Sequence, residues 1–319
     1  MSDKLSRRAF LKGSILSVGS VAASASVVSA ASALAPSPQD PLVTVIDISK
    51  CIGCEDCVYA CKESNASKFP FPQKPFPRMF PDRVPIEDWS NRQEVTDRLT
   101  PYNWLYIQHA TAIVDGEEVE LTIPRRCMHC NNPPCVKLCP WGAAKQETNG
   151  LSRIDADICL GGSKCNKVCP WDVPQRQTGV GLYLDILPNF AGNGVMYKCD
   201  RCFQKIEKGE TPACIEACPE DVQTIGLRSK MVALAKARAQ EMNGYLYGLD
   251  ENGGTNTIYI SPVPFDTLDL ETGKGKPHMD VVPDQMAQGS RLARAMLIAP
   301  IAGIAAAFGK YYSRVKEDR

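Results

Sequence analysis

The stretch Cys51-Ile-Gly-Cys54-Glu-Asp-Cys57-Val-Tyr-Ala-Cys61 decides the fold of this 319-residue chain. Its cysteines have the spacing C-x2-C-x2-C-x3-C, and we call it motif I. Three later motifs repeat the pattern with wider gaps: motif II with Cys127, Cys130, Cys135 and Cys139, motif III with Cys159, Cys165 and Cys169, and motif IV with Cys199, Cys202, Cys214 and Cys218. These motifs contain all 15 cysteines of the chain, so none is left for incidental packing.

The spacing of motif I is typical of a loop that binds an iron-sulfur cluster. Three of its thiolates bind one cluster, and the fourth cysteine ligates the other cluster of a two-cluster ferredoxin. Zinc is the competing metal, since C-x2-C pairs also form tetrahedral zinc sites. A zinc ribbon, however, has no use for four motifs that each end in C-x3-C, three of them followed by proline. Iron-sulfur clusters are therefore predicted, with a structural zinc protein as the alternative.

The distances between the motifs predict which of them pair. Motifs II and III are close enough in sequence to form a small two-cluster ferredoxin, whereas motifs I and II are far apart. We therefore expect an inner unit of motifs II and III inserted into an outer unit of motifs I and IV. Exchange of the fourth cysteine within each unit then predicts four ligand sets. Set A is Cys51, Cys54, Cys57 and Cys218; set B is Cys61, Cys199, Cys202 and Cys214; set C is Cys127, Cys130, Cys135 and Cys169; set D is Cys139, Cys159 and Cys165.

Set D has one thiolate fewer than the others. Motif III matches the common spacing if Gly162 stands where a cysteine would be. A corner iron without a ligand is not retained, so we expect a [3Fe-4S] cluster in set D and [4Fe-4S] clusters in the other three. The alternative is a cube completed by water or by an oxygen ligand such as Asp157.

The N-terminal sequence is typical of an export signal. Arg7 and Arg8 are followed by Phe-Leu-Lys and then by uncharged residues rich in Ala, Ser and Val as far as Ala35. This pattern predicts a twin-arginine signal peptide over residues 1–35, cleaved after Ala30, Ala33 or Ala35 or retained as an anchor. That route exports folded proteins with their cofactors inserted, which agrees with a thiolate-rich chain.

A second apolar stretch, residues 295–309, lies near the C-terminus between Arg294 and Lys310. It is shorter than the roughly 20 residues that usually span a bilayer, but snorkelling of the flanking basic residues would extend it. The basic tail favours a cytoplasmic C-terminus. We expect a single membrane anchor here, with a buried C-terminal helix as the alternative.

Composition excludes some functions. The 36 basic and 36 acidic residues leave no net charge, so no basic field attracts nucleic acid. The sequence has no dinucleotide fingerprint and no catalytic triad. We expect a subunit that is not catalytic on its own; the rival hypothesis is an enzyme component whose own clusters reduce a substrate.

Four such motifs in this order resemble the four-cluster electron-transfer subunits of membrane-associated oxidoreductases, namely the beta subunits of formate dehydrogenase, dimethyl sulfoxide reductase and nitrate reductase. The twin-arginine start, the C-terminal stretch and residues 253–270 look like the HybA-type subunit of membrane-bound [NiFe] hydrogenases. The ferredoxin subunits of Hmc- and Qrc-type complexes are also similar. At Gly162 the chain departs from the HybA type, which has cysteine. In nitrate reductase's subunit a non-cysteine at this place accompanies a [3Fe-4S] cluster.

The resemblance implies an electron relay on the periplasmic face of the inner membrane. Its partners would be a catalytic subunit, facing motifs I and IV, and an integral-membrane quinone-reactive or cytochrome subunit, facing the inner unit. Set D would then donate to menaquinone. A formate dehydrogenase or quinone reductase complex stays open as the alternative to a hydrogenase.

The expected fold is α+β, with two nested bacterial-ferredoxin-like βαβ units and insertions. The expected segments are a signal peptide (1–35), a first ferredoxin half with insertion (36–126), the inner two-cluster unit (127–169), a second half (170–228), a C-terminal helix and arm (229–290) and an anchor with tail (291–319).

Local patterns add five expectations. Residues 68–85 are rich in proline and should be extended, either on a partner or on the chain's own domain. Residues 104–123 predict a hairpin with a type I′ turn at Asp115-Gly116. Residues 229–242 predict a helix capped by Ser229, and 257–260 a short strand. Trp141 and Trp171 should shield clusters from water.

Overall fold

The computed structural model describes residues 36–114, 116–189 and 192–287. The predicted signal peptide, the predicted anchor and Asp115 of the predicted turn lie outside the described residues. Within the described ranges no helix is long and apolar enough to cross a membrane.

The described residues form a mixed α/β fold of short elements. The strands are β1 (Leu42–Asp47), β2 (Tyr106–Val114), β3 (Glu117–Arg125), β4 (Ala144–Gln146), β5 (Ser152–Ile154), β6 (Gln175–Gln177), β7 (Val195–Tyr197), β8 (Gln223–Leu227), β9 (Tyr245–Tyr247), β10 (Thr257–Ser261) and β11 (Asp269–Leu270). The α-helices are α1 (Asp56–Asn65), α2 (Pro134–Lys137), α3 (Lys164–Lys167), α4 (Leu182–Ile186), α5 (Phe203–Glu207), α6 (Ala213–Glu216) and α7 (Arg228–Glu241).

A four-stranded sheet in the order β8-β1-β10-β9 brings the first and last motifs together. Strand β1 leads into motif I, and it pairs antiparallel with β8, which follows motif IV. On its other side β1 runs parallel to β10. Motifs I and IV are thus neighbours in space although motifs II and III lie between them in sequence. The predicted strand at 257–260 is confirmed as part of β10.

Helix α7 covers one face of this sheet. Its buried Ala235 and Ala239, one turn apart, pack against a cluster that includes Val43 and Val45 of β1 and Ile258 of β10. Residues two apart in a strand share a face, so Ile46 points to the opposite side, into the core that surrounds the cysteines. The sheet therefore separates a small apolar layer from the cysteine-containing core.

The predicted helix is present, but the prediction of Ser229 as its cap is wrong. Helix α7 begins at Arg228, and its N-cap residue is Leu227, whose side chain caps nothing. The Asp40 carboxylate accepts hydrogen bonds from the Ser229 backbone N–H (2.8 Å) and hydroxyl (2.7 Å) instead. A carboxylate from the segment before β1 is a stronger acceptor at a helix N-terminus than a hydroxyl.

The predicted hairpin is confirmed as β2 and β3, which pair antiparallel along their whole length. The proline-rich residues 68–85 contain no α-helix, as expected, and they hydrogen-bond to the chain itself. The Gln73 N–H donates to the Gly179 carbonyl (2.8 Å), and the Phe80 N–H to the Asn193 side chain (2.9 Å). This segment therefore packs on its own domain.

Two short hairpins lie beside the inner motifs. Strands β4 and β5 pair between motifs II and III, and β6 and β7 pair between motifs III and IV. Their backbone contacts sulfur, because the Ala144 N–H of β4 donates to the Cys139 sulfur (3.5 Å) and the Met196 N–H of β7 donates to the Cys159 sulfur (3.5 Å).

Candidate metal centres

All four cysteine motifs share one backbone feature. The residue two positions after the first cysteine has a left-handed conformation in each, with φ of 70° at Gly53, 47° at His129, 61° at Gly161 and 56° at Arg201. This conformation costs a non-glycine residue about 1–2 kcal/mol. Its recurrence, twice without glycine, identifies the motifs as one repeated loop. Gly162 therefore occupies the position of the second cysteine of the other motifs.

The loop directs backbone N–H groups at sulfur. The His129 N–H donates to the Cys127 sulfur (3.5 Å), and the Arg201 N–H to the Cys199 sulfur (3.3 Å). Later in motif IV the Val222 N–H donates to the Cys218 sulfur (3.4 Å). Successive inward N–H groups form an anion-binding concavity, so these loops are built to hold negatively charged sulfur.

A later cysteine of each motif lies in a helix. These cysteines are Cys57 in α1, Cys135 in α2, Cys165 in α3 and Cys214 in α6. All four are buried. Each motif therefore combines a loop and a helical turn, which point sulfur atoms at one volume from two directions.

The cysteines predicted for set A line one cavity, and those of set C line another. The first cavity is bordered by Cys51, Cys54, Cys57 and Cys218. The second is bordered by Cys127, Cys130, Cys135 and Cys169. In both cavities a cysteine that is distant in sequence completes the group, as the exchange of fourth cysteines predicts.

Sets B and D are brought together as well, as the electrostatics of their thiols show. Burial raises the pKa of Cys61 well above its usual value, and the charges of Cys214, Cys199 and Cys202 raise it further. Burial, followed by the charge of Cys159, raises the pKa of Cys165 to about 12, and Cys139 adds to this shift. The cysteines of set B, and likewise those of set D, therefore lie close together, and the assignment of the four ligand sets stays a prediction.

The effects of one thiolate's charge on the pKa of another also show which sets are neighbours. Burial raises the pKa of Cys57 in set A, and the charge of Cys214 in set B adds to it. Cys127 of set C adds in this way to the raised pKa of Cys199 in set B. Cys135 of set C likewise acts on Cys165 of set D. The groups follow one another as A, B, C and D.

These groups fit iron-sulfur clusters. All 15 cysteines are free thiols, and burial raises the pKa of Cys130 to about 12 and that of Cys135 to about 11. A thiolate in such surroundings needs a positive partner, which iron supplies. Among the described residues no group of three or more Cys, His, Asp or Glu side chains is arranged to hold a single metal ion.

Three cations are buried among the sulfur atoms. Arg126 and Arg201 are 1% exposed and Lys198 5%. Arg126 Nη1 donates to the Cys214 sulfur (2.9 Å), and Lys198 Nζ donates to the Cys127 sulfur (3.4 Å). The Arg201 guanidinium is held by backbone carbonyls, including that of Asn256 (2.7 Å).

Sequence reasoning missed Arg126 and Lys198. Both directly precede the first cysteine of a motif, which is the one signal in the sequence. Lys50 precedes Cys51 in the same way and is exposed, so this signal does not distinguish a buried cation from a surface one.

The two tryptophans that follow Cys-Pro differ. Trp171 is 1% exposed, lines the set C cavity and donates its Nε1–H to the Tyr247 hydroxyl (2.8 Å), so its predicted shielding position is confirmed. The same prediction for Trp141 is wrong, because its side chain is 63% exposed. No neighbouring element of the described chain covers it at the set D end.

Gly162 lies at an exposed turn, and a Cβ added to it would meet no atom within 4 Å. Asp157, the oxygen ligand considered for set D, is also exposed, and its backbone N–H donates to Asp155 (3.3 Å). The volume beside set D is therefore open to solvent at the position of the missing cysteine.

Groups of mostly buried cysteines in a mixed α/β fold define the class of ferredoxin-like proteins with several iron-sulfur clusters. Two models of the 4Fe-4S dicluster domain match, over residues 50–143 and 119–228. The hydrogenase-2 operon protein HybA of Escherichia coli O157:H7 is 30% identical over 303 residues, which cover 83% of this chain and 84% of HybA. The formate dehydrogenase-O iron-sulfur subunit of Escherichia coli K12 is 29% identical over 245 residues (73% and 72% of the two chains). The formate dehydrogenase iron-sulfur subunit of Haemophilus influenzae is 30% identical over 251 residues (73% and 70%).

The chain belongs to the family of ferredoxin-type iron-sulfur electron-transfer subunits that includes HybA. The resemblance inferred from the four motifs is therefore confirmed.

Proposed function

We propose that the chain relays single electrons along four iron-sulfur clusters, held in the order A, B, C and D. One observation carries this proposal: neighbouring sets are close enough for a thiolate of one to raise the pKa of a cysteine in the next. A continuous series of this kind connects two distant surfaces of one protein.

Bound iron-sulfur clusters accept and release one electron without making or breaking bonds to a substrate. The chain holds them by thiolates, keeps most of those thiolates out of water, and directs N–H groups at sulfur. Each of these features sets the reduction potential of a cluster. In this proposal the chain has no catalytic site of its own.

Set D is proposed to hold a [3Fe-4S] cluster and the other sets [4Fe-4S] clusters. Support comes from the repeated loop, which aligns Gly162 with Cys54, Cys130 and Cys202. Three thiolates retain three irons, and the exposed glycine offers no side chain to a fourth.

The two ends of the series are proposed to meet different partners. Cys54 of set A is exposed, and Ile52 (64%) and Tyr59 (60%) are exposed beside it. At the other end Trp141 and Leu138 are exposed next to Cys139 of set D. Apolar side chains exposed around both terminal sets support contact with a catalytic subunit at set A and with a quinone-reactive or cytochrome subunit at set D.

The complex is proposed to lie on the periplasmic face of the inner membrane, exported by the twin-arginine route and anchored by residues 291–319. The relatives are named for a hydrogenase operon and for formate dehydrogenases. We favour a hydrogenase partner, because the resemblance to HybA covers the larger share of the chain, with formate dehydrogenase as the alternative.

Membranes that contain the full chain test this proposal. The membranes are treated with H₂ or with formate and then measured by low-temperature EPR. One of these two donors should reduce the clusters, and the donor that does so identifies the catalytic partner. EPR-silent membranes, despite the presence of the chain, would contradict the relay itself.

A further inference from the structure

Arg126 and Lys198 cross between the two ferredoxin units. Arg126 precedes Cys127, a set C residue of the inner unit, but its Nη1 donates to the sulfur of Cys214 in set B of the outer unit (2.9 Å). Lys198 precedes Cys199 of set B, but its Nζ donates to the sulfur of Cys127 in set C (3.4 Å). Each cation thus directly precedes a cysteine of one unit and contacts a predicted ligand of the other.

The two cations have few other partners. Lys198 Nζ also donates to the carbonyls of Ser152 and Cys199, the latter at 3.1 Å. Arg126 Nε and Nη2 are buried and have no hydrogen-bond partner among the described residues. None of the ion pairs among the described residues contains Arg126 or Lys198. Their positive charge is therefore balanced by sulfur.

Both cations are charged in this arrangement. Lys198 Nζ donates to three acceptors, the Cys127 sulfur and the carbonyls of Ser152 and Cys199, which requires the three N–H groups of the protonated ammonium. Arg126 stays charged at any pH at which the protein is folded. Both positive charges are permanent features of the junction.

A buried positive charge favours the more negative, reduced form of a neighbouring cluster. Net charge and hydrogen bonds to sulfur are two of the quantities that set cluster potentials, and both act more strongly away from water. We propose that Arg126 and Lys198 form a crossed cation pair that raises the reduction potentials of sets B and C at the junction of the two units. This inference rests on the proposed cluster sets.

Transfer across the junction moves one electron. The cluster of the donor set loses one electron and the cluster of the acceptor set gains it. No bond is made or broken, and no proton is transferred. Because each cation lies between the two sets, the pair lowers the energy of the electron on either side of the junction. Sets A and D accept no hydrogen bond from either cation, and the charge of Arg126 acts on Cys57 of set A only as a minor effect, so the potentials of these two sets should change less.

The test is a redox titration of the full chain, followed by EPR, for wild type, Arg126→Met and Lys198→Met. Each neutral variant should shift two of the four midpoint potentials, those of sets B and C, downward and change the other two by less. We expect at least a tenfold change in the ratio of reduced to oxidised centres at fixed potential, equivalent to about 59 mV for one electron. Arg126→Met should act more strongly on set B, and Lys198→Met on set C.

Arg125→Met is the matched control. Arg125 is also 1% exposed, but its Nη2 donates to the His278 carbonyl (2.8 Å) and its guanidinium lies over the Tyr259 ring, without a sulfur contact. Its removal should leave all four potentials within the error of the titration.

Unchanged potentials in both neutral variants, or equal shifts in the control, would overturn the inference. If a neutral variant loses its clusters, the charge-retaining variants Arg126→Lys and Lys198→Arg test the inference instead. The inference requires them to keep both junction potentials, and a tenfold shift in them contradicts it. Iron and sulfide analysis of the wild type tests separately whether the chain holds the proposed clusters. Failure of the proposed function can therefore be distinguished from failure of this inference.

Discussion

The loops of motif I and motif III have nearly the same backbone, but only motif I has a cysteine at its fourth position. Gly53 and Gly161 have φ of 70° and 61°, and the residues that precede α1 and α3, Glu55 and Ser163, have φ of 63° and 54°. Between these positions motif I has Cys54, whereas motif III has Gly162. The comparison separates the conformation of a cluster loop from its ligand.

Two neighbouring glycines of motif III have opposite roles. A Cβ on Gly161 would lie 2.3 Å from the Gly194 carbonyl oxygen, and its φ is left-handed, so the backbone requires glycine there. Gly162 has neither constraint. The missing cysteine is therefore not a consequence of packing, and the loop could carry a fourth thiolate without rearrangement.

The largest expected effect follows from making motif III like motif I. In Gly162→Cys a fourth thiolate becomes available to set D, so the [3Fe-4S] EPR signal of the oxidised protein should disappear and a further [4Fe-4S] signal should appear on reduction. Gly162→Ala adds a Cβ without sulfur and is the control, which should keep the wild-type spectrum. A persistent [3Fe-4S] signal in the cysteine variant would disprove the alignment of Gly162 with Cys54.

The reverse exchange is next. Cys54→Gly removes one thiolate from set A and leaves its loop conformation intact, because Gly53 provides the turn. Oxidised Cys54→Gly should show a second [3Fe-4S] signal, and its iron content should fall relative to wild type. Complete loss of the set A cluster would show that three thiolates are not sufficient in that loop.

A smaller effect is expected on stability alone. Gly161→Ala should lower the free energy of unfolding by about 2 kcal/mol or more, since it combines a left-handed φ with a backbone clash. Gly162→Ala should change it by less than about 0.5 kcal/mol. Chemical denaturation of the two variants side by side measures the difference, and equal losses would contradict the contrast between these glycines.

The smallest effect concerns the residues that precede the helices. Glu55→Gly and Ser163→Gly each remove the strain of a non-glycine residue in the left-handed conformation. Glycine also costs more backbone entropy on folding, so each change should stabilise the protein by only about 0.5 kcal/mol. The two gains should be equal if the loops are equivalent. A gain in one loop and a loss in the other would show that the loops differ in more than Cys54.

The sequence predicted iron-sulfur binding correctly because this prediction depends on cysteine spacing. Cysteine positions fix which sulfur atoms a loop and a helical turn can bring together. The hairpin β2–β3 and helix α7 were also predictable from local patterns. These features depend on residues close together in the chain.

Other features depend on contacts between distant segments and could not be predicted. Asp40 replaces Ser229 at the start of α7 because the segment before β1 lies beside it. Trp141 and Trp171 follow identical Cys-Pro pairs, yet only Trp171 has a neighbour such as Tyr247 to cover it. Arg126 and Lys198 resemble surface residues in the sequence and become buried cations only where two units meet.

EPR of the oxidised wild-type protein tests the central claim most directly. The account predicts a [3Fe-4S] signal before any reductant is added, from set D, and signals of [4Fe-4S] clusters from the other three sets on reduction. Absence of the oxidised signal together with four [4Fe-4S] signals on reduction would show that set D completes its cube without Cys at 162, and would contradict the claim.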